Sequence, residues 1–391
     1  MSQTTIEWTA TRSPSGELLP GYTFNPWIGC AKISDGCKNC YAEADFDLRK
    51  GWAKWGASGT RVITSEAYWK KPLAWDHTAA AQQTRLKVAC ASLADVFEDW
   101  DGCEADGISP KAMRDHKGNR LATRSGFDTA IQWPVEPGWR PLCLHDMRNR
   151  LYRLIHATPN LEWLLLTKRP KNVLAFAPLH WIPDLYGAKF PDNVSIGATV
   201  ENRRALRRID DLRKIPARVR FLSIEPLLED LGAINLAGIH WVICGGESGL
   251  NARTMHPDWA RSIRDQCQAA RVPFFFKQWG EWHPEASASW ATGKKTYHYG
   301  AVEGLSMLRD GRVCMRCSAT NPAGRSILVD GKALKAFDRF ANLKDPEKAR
   351  KADPGYQWMQ RVGKKAAGRL LDGREWSEFP GPMLKSIGCT R

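Results

Sequence analysis

Cys30, Cys37 and Cys40 lie within Thr23-Phe24-Asn25-Pro26-Trp27-Ile28-Gly29-Cys30-Ala31-Lys32-Ile33-Ser34-Asp35-Gly36-Cys37-Lys38-Asn39-Cys40-Tyr41-Ala42-Glu43. The spacing C-x6-C-x2-C, in a loop rich in Gly, Pro, Asn and Asp, gathers three thiols without help from distant chain. A structural zinc site closes with four ligands, and simple electron-transfer iron–sulfur clusters use four cysteines. Three local ligands point to a cluster with one iron left open. They also fit a zinc site completed by one of nine histidines or eight other cysteines. A disulfide plus a spare thiol is disfavoured. Met1–Glu7 has neither the basic nor the apolar region of a secretory signal, and eleven cysteines without one imply a reducing compartment.

An iron with an open position can take the amino and carboxylate groups of S-adenosylmethionine. The protein must then bind the ammonium, hold the ribose and exclude water. Gly245-Gly246-Glu247-Ser248-Gly249 suits ammonium binding, because glycines permit close backbone approach and a carboxylate accepts from an ammonium. The competing reading is a tight turn whose Glu caps a helix. Glu225 and Thr199 also close apolar runs and are further cofactor candidates. Lys168, Arg169 and Glu201 are substrate candidates, although Glu201 has the Arg-rich stretch nearby and the two cations suit a solvated loop equally well. Asp95 and Asp99 rank lower.

The elements that must carry these groups are short apolar runs at Leu86–Ala91, Leu161–Thr167, Val194–Val200, Val219–Ile224, His240–Cys244 and Pro273–Phe276. Nearly continuous apolar character over a few residues marks strands buried on both faces, as in a parallel sheet. Helical patterns fall between them at Leu142–His156, Asn202–Lys214 and Asp258–Ala270. Alternation of this kind implies βαβ units and an α/β fold, here a partial barrel. The polar candidates all follow strands, where barrels place their sites.

The first 284 residues form the barrel unit in this reading. Residues 285–355 are a polar, irregular insertion holding the lone pair Cys314 and Cys317. Residues 356–391 return to order as a C-terminal helix and tail packed on the barrel, with Gly368–Pro380 read as a helix ending in a turn. No apolar run approaches the ~20 residues a membrane span needs. Lys plus Arg exceeds Asp plus Glu by 57 − 42 = 15, which favours a polyanionic partner. Eighteen tryptophans, several near basic residues, offer surfaces for stacking bases, as they offer bulk for a core.

Together these segments resemble a known family. They are Ile6-Glu7-Trp8, the cysteine loop, Leu165–Pro170, Arg220–Leu228, Gly245–Gly249, Phe275–Gly280 and Leu371-Asp372-Gly373. The pattern looks like the three-cysteine protein family of bacteriophages and prophages, which in turn resembles radical S-adenosylmethionine enzymes. The resemblance implies a partial (β/α)6 TIM-like barrel with the cluster loop at its mouth. It implies a [4Fe-4S] cluster on Cys30, Cys37 and Cys40, S-adenosyl-L-methionine as second cofactor, and an external electron donor of flavodoxin or ferredoxin type. A bacterial cytoplasm and a phage or prophage origin follow from it too. Two departures stand out. The usual spacing is C-x3-C-x2-C, and the residue before the last cysteine, usually an aromatic against the adenine, is Asn39, leaving Tyr41 as the candidate.

The expectation is thus a radical enzyme that modifies a nucleobase or nucleotide in phage DNA. The alternatives are a nucleic-acid-binding protein with a structural zinc or iron–sulfur site, and a radical enzyme that repairs DNA photoproducts.

Overall fold

The computed structural model describes residues 3–100, 111–125, 131–132, 138–183, 188–284, 304–307, 313–316 and 357–381. All six apolar runs are strands of one sheet, with a seventh ahead of them. The strands are β1 Tyr22–Phe24, β2 Leu86–Cys90, β3 Leu161–Thr167, β4 Val194–Thr199, β5 Val219–Ile224, β6 Trp241–Gly245 and β7 Phe274–Gln278. They lie side by side in chain order, and every neighbouring pair is parallel. The result is a mixed α/β protein whose sheet curls into a half-barrel.

Both faces are covered, which is why the strands read as continuous apolar runs. One face gives Val88, Trp163, Leu165, Ile196, Leu222, Val242 and Phe274 to the large core. Its helices are α1 Lys71–Ala81, α2 Leu144–His156, α3 Arg207–Arg213 and α4 Pro257–Ala270. They bury Trp75, Leu151, Ile155, Ile209, Leu212, Trp259 and Ile263 against it. The other face carries a separate cluster of Ala89, Leu164, Phe221, Trp241, Ile243 and Phe275 around Trp8. Gly197 belongs to this inner face because a side chain there has no room: a Cβ would stand 2.3 Å from the Phe221 ring.

Described segments near both ends of the chain pack on this inner face. Gln3 bridges Tyr22 of β1, and Ser377 bridges Phe275 of β7, both antiparallel. Ile6 and Phe379 pack onto the inner cluster, and Arg369 pairs with Glu7 to join the two ends. Gly368–Pro380, expected as a helix, holds a hairpin of Leu370–Leu371 and Arg374–Glu375. Asp372 and Gly373 at its turn both have positive φ (55° and 74°), the backbone that an Asp-Gly hairpin turn needs. The one helix described there is Lys364–Ala367.

Most of 285–355 lies outside the described residues, Cys317 included. The strands Gly304–Met307 and Val313–Arg316 join Trp282–Pro284 and Gln357–Arg361 in an antiparallel sheet. Among the described residues, no helix is long and apolar enough to cross a membrane.

Candidate functional site

The cysteine loop leaves the C-terminal end of β1. Asn25 fixes its departure: the Leu93 N–H (2.9 Å) and the Ser92 hydroxyl (3.2 Å) both donate to Asn25 Oδ1. Gly29 has φ +116°, and a Cβ there would meet the Thr60 carbonyl at 2.4 Å, so only glycine fits just before Cys30. A 3-10 turn at Asp35–Cys37 and a helical turn at Tyr41–Glu43 then bracket the Cys37–Cys40 pair. All three cysteines are half-buried free thiols. They line one cavity of about 820 Å³ at the C-terminal edge of the sheet.

Ion-paired groups from other strand ends hold the loop over that edge. Glu98, beyond β2, accepts from the Ala31 N–H at 2.6 Å. Arg61 donates to the same carboxylate through Nε (2.7 Å) and Nη2 (2.8 Å), and both side chains are buried. Arg169, after β3, donates to the Ala31 carbonyl (2.8 Å) and to Asp95 Oδ2 (2.9 Å), and lies 3.9 Å from Cys30 Sγ. Asp95 also takes the Thr167 hydroxyl (2.7 Å) and the Lys168 N–H (3.1 Å). Asn202, after β4, donates to Asp35 Oδ2 at 2.8 Å. Burial, reinforced by Glu98 and Asp95, pushes the Cys30 thiol up to about 12.

The structure therefore redistributes several expected roles. Arg169 lines the cavity but spends its donors on the loop and on Asp95. Burial works against its charge, yet Asp95, Cys30 and Glu98 more than offset this and keep it firmly protonated. Glu201 is buried beneath Gly36 and paired with Arg208 of α3 at 2.7 Å, and it is not among the residues that line the cavity. Burial opposes its ionisation, but the nearby Ser34 hydroxyl, Arg208 and Lys168 hold its carboxyl below the usual range. Gly246 is glycine for a backbone reason: a Cβ would stand 1.9 Å from the Trp279 carbonyl where the ends of β6 and β7 meet. Glu247 is buried and bonded to Arg253 and Asn39.

What remains open to the cavity divides into two walls. Ile6, Trp8, Ala89, Ala91, Leu164 and Leu166 form an apolar one. Thr199, Ser223, Glu225, Ser248, Lys277 and Gln278 form a polar one, with Thr199 and Ser223 directly paired across β4 and β5. Lys277 donates to Glu225 at 2.6 Å, and Gln278 to Ser248 at 2.8 Å. Tyr41 faces the cavity and donates its hydroxyl to the Ser92 carbonyl at 2.9 Å. Lys168 lines the cavity too, and among the described residues its ammonium has no hydrogen bond or ion pair.

Sequence reasoning did not single out Arg61, Glu98, Arg253 or Lys277. Lys277 left a trace, a cation one step beyond an apolar strand; the others act across 37 or more positions or from within loops, where no periodicity marks them. Among the described residues, no three His, Cys, Asp or Glu side chains converge closely enough to ligate a single ion as they stand.

These features define an α/β protein with a curled parallel sheet and a thiol-bearing loop clasped over the cavity at its C-terminal edge. The model of a family described as "Protein of unknown function (DUF5131)" matches residues 3–102 and 143–380, and the chain belongs to that family. The unmatched stretch between them includes the small antiparallel strands Leu121–Thr123, Ile131–Gln132 and Arg140–Pro141. No curated protein and no solved structure matches the chain.

Proposed function

We propose that this protein is a radical S-adenosylmethionine enzyme that modifies a nucleobase or nucleotide, in phage DNA. The observation that carries the reading is the placement of Cys30, Cys37 and Cys40 together on the wall of one cavity at the C-terminal strand ends. Soft thiol donors suit iron–sulfur clusters. A cluster spreads its cysteines over separate irons, so its ligands need not meet at one point as they would around zinc. With both cofactors bound and an external electron donor, the site would supply one-electron cleavage of S-adenosylmethionine into methionine and a 5′-deoxyadenosyl radical able to abstract a hydrogen atom.

The chain's own residues do the rest. Cys30, Cys37 and Cys40 would hold the cluster. Ile6, Trp8, Leu164 and Leu166 offer a dry face to a planar ring, and Thr199 and Ser223 supply hydroxyls to a ribose or base edge. Tyr41 remains the aromatic nearest the last cysteine. Lys168 is available to a phosphate, and the +15 balance favours a nucleic-acid or nucleotide substrate. Glu225 and Lys277 neutralise one another on the polar wall, so a zwitterionic group can exchange into their pair.

The test is to incubate the chemically reduced, anaerobic protein with S-adenosylmethionine and follow 5′-deoxyadenosine by chromatography, with single-stranded DNA, duplex DNA and free nucleotides compared. Cofactor cleavage lost in Cys37→Ala supports the reading. No cleavage under any condition contradicts it.

A further inference from the structure

Glu247 stands where a cofactor-binding carboxylate is expected, in a double-glycine motif at the end of β6. It lines the cavity, but its charge is already matched by Arg253 at 2.6 Å. Oε2 accepts from Asn39 Nδ2 at 3.0 Å, from the Arg253 backbone N–H at 2.8 Å and from Arg253 Nε at 2.8 Å. Oε1 accepts from Arg253 Nη2 at 2.6 Å. A carboxylate offers about four lone-pair sites, two on each oxygen; three donors crowd Oε2 and one takes Oε1, so most of its capacity serves Arg253 and the loop. Burial opposes ionisation here, yet the Arg253 and Asn39 hydrogen bonds hold the carboxyl below its usual range.

Both partners reach into the cysteine loop. Asn39 sits between Cys37 and Cys40, and its side-chain amide also donates to the Asn251 carbonyl at 2.6 Å. Arg253 donates from Nη2 to the Asp35 carbonyl at 3.0 Å, two residues before Cys37. One carboxylate thus ties the loop from β6 to both flanks of Cys37.

We propose that Glu247 is a positioning residue: with Arg253 and Asn39 it latches the Cys37–Cys40 half of the loop to the end of β6, and it does not itself bind the cofactor. The proposal rests on the reading that these cysteines hold a cluster. The latch sets the separation of Cys37 and Cys40 from Cys30, whose own flank is held independently by Glu98 and Arg169. The position before the last cysteine is accordingly an amide, because here it carries the loop's anchor.

The experiment uses the metal-free full chain and trypsin, with cleavage after Lys38 as readout. Lys38 is exposed, but a protease needs several flanking residues in extended form, so the hydrogen-bonded loop must open and the rate follows the opened population. Glu247→Ala and Asn39→Ala should each raise that rate roughly 5- to 30-fold, the equivalent of one or two kcal/mol. The double variant should fall short of the product of the two single effects, since the Asn39–Glu247 bond is lost in both. Glu247→Gln should stay within about threefold of the parent, because an amide oxygen in the place of Oε2 keeps three of the four hydrogen bonds.

After reconstitution, Glu247→Gln should also keep the parent's S-adenosylmethionine affinity within about threefold, although the charge is gone. A parent-like cleavage rate in Asn39→Ala overturns the latch, as does an additive double variant. Full loss of cofactor affinity in Glu247→Gln overturns the exclusion from cofactor binding. If Glu247→Ala does not fold, Asn39→Ala and Glu247→Gln still decide the matter. Proteolysis needs no metal, so a chain that never binds iron would sink the cluster reading while leaving the latch result standing.

Discussion

Arg61→Met strands a buried carboxylate directly beneath the cysteine loop. Arg61 and Glu98 are 0% and 1% exposed and share two hydrogen bonds of 2.7 and 2.8 Å. Arg61 also donates to the Thr60 carbonyl at 2.9 Å and lies 4.9 Å from the centre of the Trp100 ring. Methionine keeps an apolar stem in the buried space but removes the guanidinium that lies over Trp100. Breaking a buried pair from one side costs about 3–5 kcal/mol, because the remaining ion stays buried and unmatched. Arg169 remains 3.6 Å from Glu98 Oε1, which places the expected loss at the lower end, about 3 kcal/mol. For a chain of 391 residues that is a drop of roughly 4–5 °C in melting temperature. Glu98→Gln should cost about 1.5–3 kcal/mol: it leaves the buried Arg61 cation with only carbonyl partners, but its amide oxygen can still accept from Ala31. The double variant should recover at least about 1 kcal/mol over Arg61→Met, no charge being stranded. Urea unfolding of the metal-free proteins measures all three. A loss under about 1 kcal/mol for Arg61→Met, or additive losses in the double variant, refutes the reasoning.

Gly197→Ala should destabilise by roughly 1–3 kcal/mol through overpacking on Phe221, and adding Phe221→Leu should restore part of it, as melting curves would show. Asp146 at the start of α2 accepts from the Cys143 N–H at 3.0 Å and from Arg140 at 2.7 and 2.8 Å. Burial opposes its ionisation, but Arg140 and the Cys143 N–H hold its carboxyl below 3.8. A depressed folded value gives stability that is present above 3.8 and lost as pH falls through the lowered value. Asp146→Asn should therefore be less stable than the parent at neutral pH, and pH-dependent unfolding should show the gap closing below 3.8. Cys244→Ala, in the helix-side core, should leave iron content unchanged where Cys30→Ala abolishes it, as metal analysis would report. If the net charge serves nucleic acid, DNA affinity should fall steeply between low and physiological salt, and a salt-independent titration would assign the charge another role.

The strands were legible because burial on both faces writes continuous apolar runs: Leu161–Thr167 and Val219–Ile224 coincide with β3 and β5. Tyr22–Phe24 was not, since three residues running straight into Asn25-Pro26 carry too little pattern to stand apart from the loop. The Asp372-Gly373 turn signal was present, but a helical reading of its neighbours masked it. At the site, residue type and position at strand ends singled out Arg169, Glu201 and Glu247, which the structure brings against the cysteine loop. Their partners could not be read, because Arg169 and Ala31 lie 138 residues apart, and Asn39 and Glu247 lie 208 apart. Whether a charged group faces a ligand or a neighbouring loop depends on such long-range pairs, and composition and spacing do not encode them.

The central claim, that Cys30, Cys37 and Cys40 hold an iron–sulfur cluster, is tested most directly by counting metal and acid-labile sulfide in the anaerobically purified chain. The account predicts about four irons with matching sulfide per chain, falling to background in Cys37→Ala. One zinc per chain without sulfide would contradict it.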